Sequence, residues 1–170
     1  ASIAVYNENR KAVRDLYAYR AQKPWQAPTS EVYLVLRAGC VLPPEDHTQL
    51  IRQYLVEADR EKRPQRDNAR VVLTGSFCEQ PPLGLIKSIE MAGCYVVDDD
   101  FQLIQSWLLD DVPLEGDPLE ELSKAFLHRS AATSSKYDEK KEDKGKFLLH
   151  QVKARGAEGG MGLIHIDLIL

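Results

Sequence analysis

Long apolar runs are absent from this chain. No stretch approaches the roughly 18–20 residues that a membrane span requires, so no membrane crossing is expected. An excess of one charge is absent as well: 22 Lys and Arg stand against 26 Asp and Glu. The net charge of −4 and pI of about 5.6 supply no global field for nucleic acid or an anionic bilayer. Trp25, Trp107 and the seven tyrosines fall into no stacking order with basic residues, which again argues against a nucleic-acid partner. The opening residues carry neither a basic n-region nor an apolar h-region, so no secretory signal is read there and a cytoplasmic location is expected. Cysteine is scarce. Cys40, Cys78 and Cys94 lie at wide, unequal intervals, with none of the C-x-x-C spacing of zinc or redox sites. Free thiols are the expectation in a reducing compartment.

What is present is ordinary globular material, 44% hydrophobic and 28% charged over 170 residues, enough for a real core. Ile3, Tyr6, Val13, Leu16 and Tyr17 recur at helical spacing, and Pro24 and Pro28 stop that helix. Thr29, Ser30 and Glu31 offer a cap for a second short helix ending at Gly39. Pro43 and Pro44, with Glu45 and Asp46 in the first turn, start a third helix that Leu50, Ile51, Tyr54 and Leu55 carry to about residue 62.

The character changes after a polar turn at residues 63–68. Residues 70–75 are an apolar, β-branched run closed by Gly75, the pattern of a strand buried on both faces in a parallel sheet. Pro81 and Pro82 open a helix through Leu85, Ile86, Ile89 and Met91 that Gly93 closes, and residues 94–97 form a second strand running into three aspartates. Strand, helix, strand is a βαβ unit of right-handed connection. Further helices are expected at 100–109, at 119–127 and within 137–156, whose charged first part reads as a solvated face. After a glycine-rich turn, an apolar stretch runs to residue 170, and a strand there fits the rhythm. The fold class expected is α/β: a helical segment over 1–62, then an α/β domain over 63–170 with a small parallel, flavodoxin- or Rossmann-like sheet. The parent protein is expected to continue at both ends.

Ligands of open parallel sheets bind beyond the carboxyl ends of the strands. That places residues 75–80 and 98–100 side by side at one rim. Gly75 allows a sharp turn, and Ser76 with freed backbone N–H groups could take an anion or carbonyl, although the prolines beyond it and the lack of GxGxxG or Walker spacing make it a poor phosphate cradle. The plainer alternative is simple strand-to-helix turn chemistry. Asp98, Asp99 and Asp100 repel one another, so at least one needs a cation, a helix N-terminus or a donor from another subunit. Helix capping accounts for one of them, a metal or substrate-positioning role for more. Cys78 is open to the roles of nucleophile, ligand or buried thiol, with His47, His128, His150 and His165 all remote in sequence.

The run RVVLTGSFCEQPPLGLIKSIEMAGCYVVDDDFQL resembles the central domain of the 2-hydroxyacyl-CoA dehydratase / benzoyl-CoA reductase family, and the first helix resembles that family's helix with an asparagine–arginine pair, here Asn9 and Arg10. The wording GSFCEQPP and CYVVDDDF is closest to the benzoyl-CoA reductase branch, gamma-type subunit, and the resemblance covers residues 2–159. It implies an oxidoreductase subunit of anaerobic aromatic degradation that reduces the ring of an aromatic acyl-CoA. Its implied partners are a homologous catalytic subunit, an iron–sulfur activator ATPase and ferredoxin as electron donor. The implied cofactors are a 4Fe–4S cluster and, on the partner, ATP. The family's cluster cysteines fall outside this stretch, so Cys78 is not expected to be a ligand and the chain alone is expected to be inactive. Ile104 and Ser106 stand where relatives tend to carry glycine and arginine. Ser76, Glu79, Asp99 and Asp100 are the expected substrate-side residues. The alternatives are a 2-hydroxyacyl-CoA dehydratase subunit, which removes water by the same electron chemistry, and a non-enzymatic α/β module docking a partner through its acidic rim.

Overall fold

The computed structural model describes residues 2–75, 81–101, 108, 110–128 and 144–163. Three helices come first: α1 (Ser2–Gln22), α2 (Thr29–Ala38) and α3 (Pro44–Arg60). Their inward stripes form one apolar cluster of Ala12, Val13, Leu16, Tyr17, Ala27, Val32, Leu36 and Ile51. Pro28 and Pro43 precede α2 and α3 and set φ near −54° to −53° at each start. The expected cap of α2 is different in kind. Thr29 lies inside the first turn, the N-cap is Pro28, and Glu90 of a later helix accepts the Thr29 N–H. A cap supplied from 61 residues away leaves no local signature.

The remaining elements are β1 (Ala69–Gly75), α4 (Leu83–Met91), β2 (Cys94–Asp99), α5 (Pro118–His128), α6 (Lys144–Ala154) and β3 (Gly159–Leu163). The α/β class, the leading helical run and the small parallel sheet are as expected. Asp100 and Phe101 are not helical, and most of the helix expected at 100–109 lies outside the described residues. The strands order as β2-β1-β3, all parallel. A second cluster, Tyr33, Leu73, Ile86, Ile89, Val96 and Phe101, seals α2 and α4 against the sheet. The α2 helix therefore has two apolar edges: Val32 and Leu36 look into the helical cluster while Tyr33 enters the sheet cluster.

One irregularity shapes the exit of β2. Val71 pairs with Val96 but Val72 pairs with Asp98, so Val97 is an extra residue in β2. Side chains alternate along a strand, and one inserted residue reverses that alternation from Asp98 onward. Val97 stays fully buried, and Asp98 is turned to meet Arg155 at the end of α6.

Candidate functional site at the carboxyl edge of the sheet

The carboxyl ends of β1 and β2 do lie together. Leu73 pairs with Asp99, the Asp100 N–H donates to the Leu73 carbonyl, and the Thr74 hydroxyl donates to Asp100 Oδ2 at 2.7 Å. On the other flank Gly75 pairs with Leu163 of β3. The winding direction reverses between β1 and β3, the position where open sheets of this order form their crevice. The edge thus has two sides, an aspartate side at β1/β2 and a glycine-lined side at β1/β3. The expected rim was the first alone, because pairing of β3 with β1 cannot be read from β1 and β2.

The aspartates are held by the chain's own cations. Arg155 Nε donates to Asp98 Oδ2 at 2.9 Å, and Asp98 Oδ1 accepts the Asp99 N–H. Burial pushes the Asp98 carboxyl up from the ordinary aspartate range, against the downward pull of Arg155 and Arg20. Asp99 pairs with Arg20 of α1 at 2.7 Å, the two side chains only 2% and 1% exposed. Its Oδ1 also accepts the Tyr17 hydroxyl at 2.9 Å and the Phe101 N–H at 3.1 Å, which closes a tight Asx turn at the exit of β2. For Arg20, burial acts downward, yet Asp99, Tyr17 and Asp98 together leave it above its usual value. Tyr17 is driven well above the usual phenol value, first by burial and then by Asp99. Asp98 and Asp99 are thus held by arginines of the chain itself, and Asp99 also forms a turn, neither of which was among the roles read from the sequence.

Among the expected site residues, Asp99 and Asp100 stand at this edge, while Ser76 and Glu79 lie outside the described residues, as do Cys78, Ile104 and Ser106. Arg20, Tyr17 and Arg155 were not foreseen at this edge. Tyr17 and Arg20, three apart at the end of an otherwise apolar stripe, were the available signal, since a basic residue on a buried helix face needs a buried acid.

The described residues do not fit an iron–sulfur cluster. Cys94 opens β2 at the opposite edge of the sheet and Cys40 is exposed after α2. Among the described residues no group of three or more His, Cys, Asp or Glu could hold a metal ion. None of the described helices is long and apolar enough to cross a membrane.

A family model described as 2-hydroxyglutaryl-CoA dehydratase, D-component, matches residues 1–165. A benzoyl-CoA reductase subunit of Thauera aromatica is 55% identical over 159 residues, which is 94% of this chain and 41% of that protein. Lactoyl-CoA dehydratase subunit beta of Anaerotignum propionicum is 29% identical over 161 residues, 92% of this chain and 41% of that protein. The (R)-phenyllactyl-CoA dehydratase beta subunit of Clostridium sporogenes is 23% identical over 158 residues, 93% and 41% respectively. The chain thus spans 41% of the length of each of these relatives.

Proposed function

The chain belongs to the 2-hydroxyglutaryl-CoA dehydratase D-component family, and from that premise we propose that it forms part of a subunit of an ATP-dependent benzoyl-CoA reductase. The observation that carries the benzoyl branch is the gap in identity over nearly the same residues: 55% to a benzoyl-CoA reductase subunit against 29% and 23% to dehydratase subunits. In the proposed reaction two electrons and two protons add to the aromatic ring of benzoyl-CoA, giving a cyclohexadiene carbonyl-CoA. The thioester withdraws electron density from the ring, which eases entry of the first electron. The protein's share is to hold the thioester and exclude water.

Within this chain the carboxyl edge of the sheet is the proposed acyl-CoA wall. Ser76, Glu79, Asp99 and Asp100 are assigned to it. Asp100 accepts the Thr74 hydroxyl, and Asp99 is already engaged by Tyr17, Arg20 and the Phe101 N–H. Ferredoxin, an iron–sulfur ATPase and a homologous catalytic subunit are the proposed partners, in the cytoplasm. The 4Fe–4S ligands are assigned to parts of the protein other than this segment, so the segment alone is expected to be inactive.

The test is a substrate comparison in the full-length complex under one reductant. Ring reduction of benzoyl-CoA, with no dehydration of a 2-hydroxyacyl-CoA, is the expected result. Dehydration without ring reduction would place the chain in the branch of the lactoyl-CoA and phenyllactyl-CoA enzymes instead.

A further inference from the structure

Tyr17 and Arg20 sit three residues apart on α1, so they share one face, and both reach the same carboxylate at the end of β2. The guanidinium lies 4.6 Å from the centroid of the Tyr17 ring and 2.7 Å from Asp99. Its Nε and Nη2 are buried and meet no hydrogen-bond acceptor among the described residues. Such donors are costly to bury, and an apolar pair of similar volume would fill the same space without that cost. Space-filling therefore does not account for Arg20. What the pair does supply is a fixed position for the Asp99 carboxylate.

That position is passed on. Asp99 Oδ1 holds the Phe101 N–H, and the Phe101 ring, 2% exposed, packs edge-on against Tyr33 with centroids 5.9 Å apart. The Tyr33 hydroxyl in turn donates to the Pro81 carbonyl at 2.9 Å, where the chain returns from the exit of β1 to enter α4. A continuous path of contacts thus runs from Arg20 through Asp99, Phe101 and Tyr33 to Pro81. It ties the exit of β2 to α1, to α2 and to the entry of α4, and the end of β1 joins it where Asp100 meets the Leu73 carbonyl and the Thr74 hydroxyl. Each link is either an ion pair, a hydrogen bond or a close ring contact.

We propose that Arg20 is a positioning residue which, through its buried pair with Asp99, locks the exits of β2 and β1 into one unit at the carboxyl edge and so sets the geometry of the acyl-CoA wall. This rests on the reading of that edge as the substrate wall.

The full-length complex carrying Arg20→Met, the pair Arg20→Met with Asp99→Leu, or Arg20→Lys separates positioning from mere stability. Arg20→Met alone strands a buried carboxylate and is expected to lower both the melting temperature and turnover. The double variant replaces the pair with apolar groups and is expected to regain most of the melting temperature. Its kcat should stay down by about tenfold to a hundredfold, as small misplacements of a reacting group do, with KM changed less. Arg20→Lys, which keeps the charge without the planar fork, should restore part of kcat. Full recovery of kcat together with melting temperature in the double variant would overturn the proposal. If that variant does not fold, Tyr33→Phe carries the test, since it keeps the buried ring and removes only the hydroxyl that donates to the Pro81 carbonyl and accepts from Arg37; wild-type kcat there would equally overturn it. The wild-type complex is assayed beside them with benzoyl-CoA and a 2-hydroxyacyl-CoA. Failure on benzoyl-CoA would sink the functional reading, whereas the variants' kcat on whichever thioester turns over still decides the role of Arg20.

Discussion

Gly39 and His47 occupy the same small volume between α2 and α3, and each explains the other. A Cβ added at Gly39 would stand 2.5 Å from His47 Cε1 and 2.6 Å from Nδ1, closer than any real contact. The ring cannot yield freely: Nε2 lies 3.0 Å from the Val35 carbonyl and Nδ1 3.0 Å from Asn9 Nδ2. A carbonyl can only accept, so Nε2 carries the proton and Nδ1 accepts from the Asn9 amide. Gly39→Ala is therefore expected to cost about 1–3 kcal/mol of folding stability, visible as a lower urea midpoint. The same geometry disfavours a second proton on His47, and burial lowers its pKa below the ordinary 6.5 despite the help of the Val35 carbonyl. A group that binds protons less well folded than unfolded contributes fully above its unfolded pKa. That contribution is lost as pH falls from about 6.5 toward the lower folded value, because only the unfolded chain gains the proton. Wild-type protein should lose melting temperature across that window. His47→Gln, titrating nowhere in it, should show a flatter profile from a lower starting value.

At the scale of the elements, local chemistry decides boundaries and distant chemistry decides placement. Gly93 closes α4 at φ +88°, and a Cβ there would touch nothing within 4 Å. Space is free but the backbone is not, so Gly93→Ala is expected to cost about 1–2 kcal/mol, read by denaturation. Asn7 shows the opposite case. Its Nδ2 donates to the Val112 carbonyl at 2.8 Å while its Oδ1 accepts the Val112 N–H at 2.9 Å, a two-point clamp across 105 residues. Asn7→Ala removes both bonds and should cost about 1–3 kcal/mol, with faster hydrogen exchange of the Val112 amide as its specific sign. Local features of the Gly93 kind were legible beforehand: the prolines before α2, α3 and α4, the helical stripes, and the apolar runs of β1 and β2. The Asn7 kind was not. Nothing local marks Glu90 as the partner of the Thr29 N–H, Val97 as a bulge, or Arg20 as the partner of Asp99. The candidate site was legible as a place, the carboxyl edge, because strand polarity alone determines it. Its wiring was not, since the cations on Asp98 and Asp99 come from α1 and from the end of α6.

Across the whole molecule the two apolar clusters meet along α2, but polar contacts decide how the sheet is fastened to the helices. Arg70, near the start of β1, donates through Nε to the Gly156 carbonyl at 3.0 Å and through Nη2 to the Arg155 carbonyl at 3.1 Å and to the Ala21 carbonyl. Its own backbone exchanges hydrogen bonds with Glu158, the carbonyl accepting the Glu158 N–H and the N–H donating to Glu158 Oε1. One side chain therefore joins the end of α1, the end of α6 and the approach to β3. This matters most for β3, whose five residues include three glycines and so contribute few side chains to hold it in place. Gly160 leaves room only for ordinary contact with Leu148 of α6. Removing Arg70 leaves three carbonyls without their charged donor, and hydrogen bonds of that kind are each worth more than neutral ones. Arg70→Ala is accordingly expected to lower stability by about 2–3 kcal/mol. The loss should also be uneven. The cluster of Leu16, Val32 and Ile51 contains no atom of Arg70's partners and should keep its protection in hydrogen exchange. Amides of β3 should exchange markedly faster, because among the described residues that strand pairs with β1 on one side and is held at its start by the Arg70 and Glu158 contacts. Equal loosening of both regions would show that the helices and the sheet unfold as one cooperative body, with Arg70 no more than a contributor to the total.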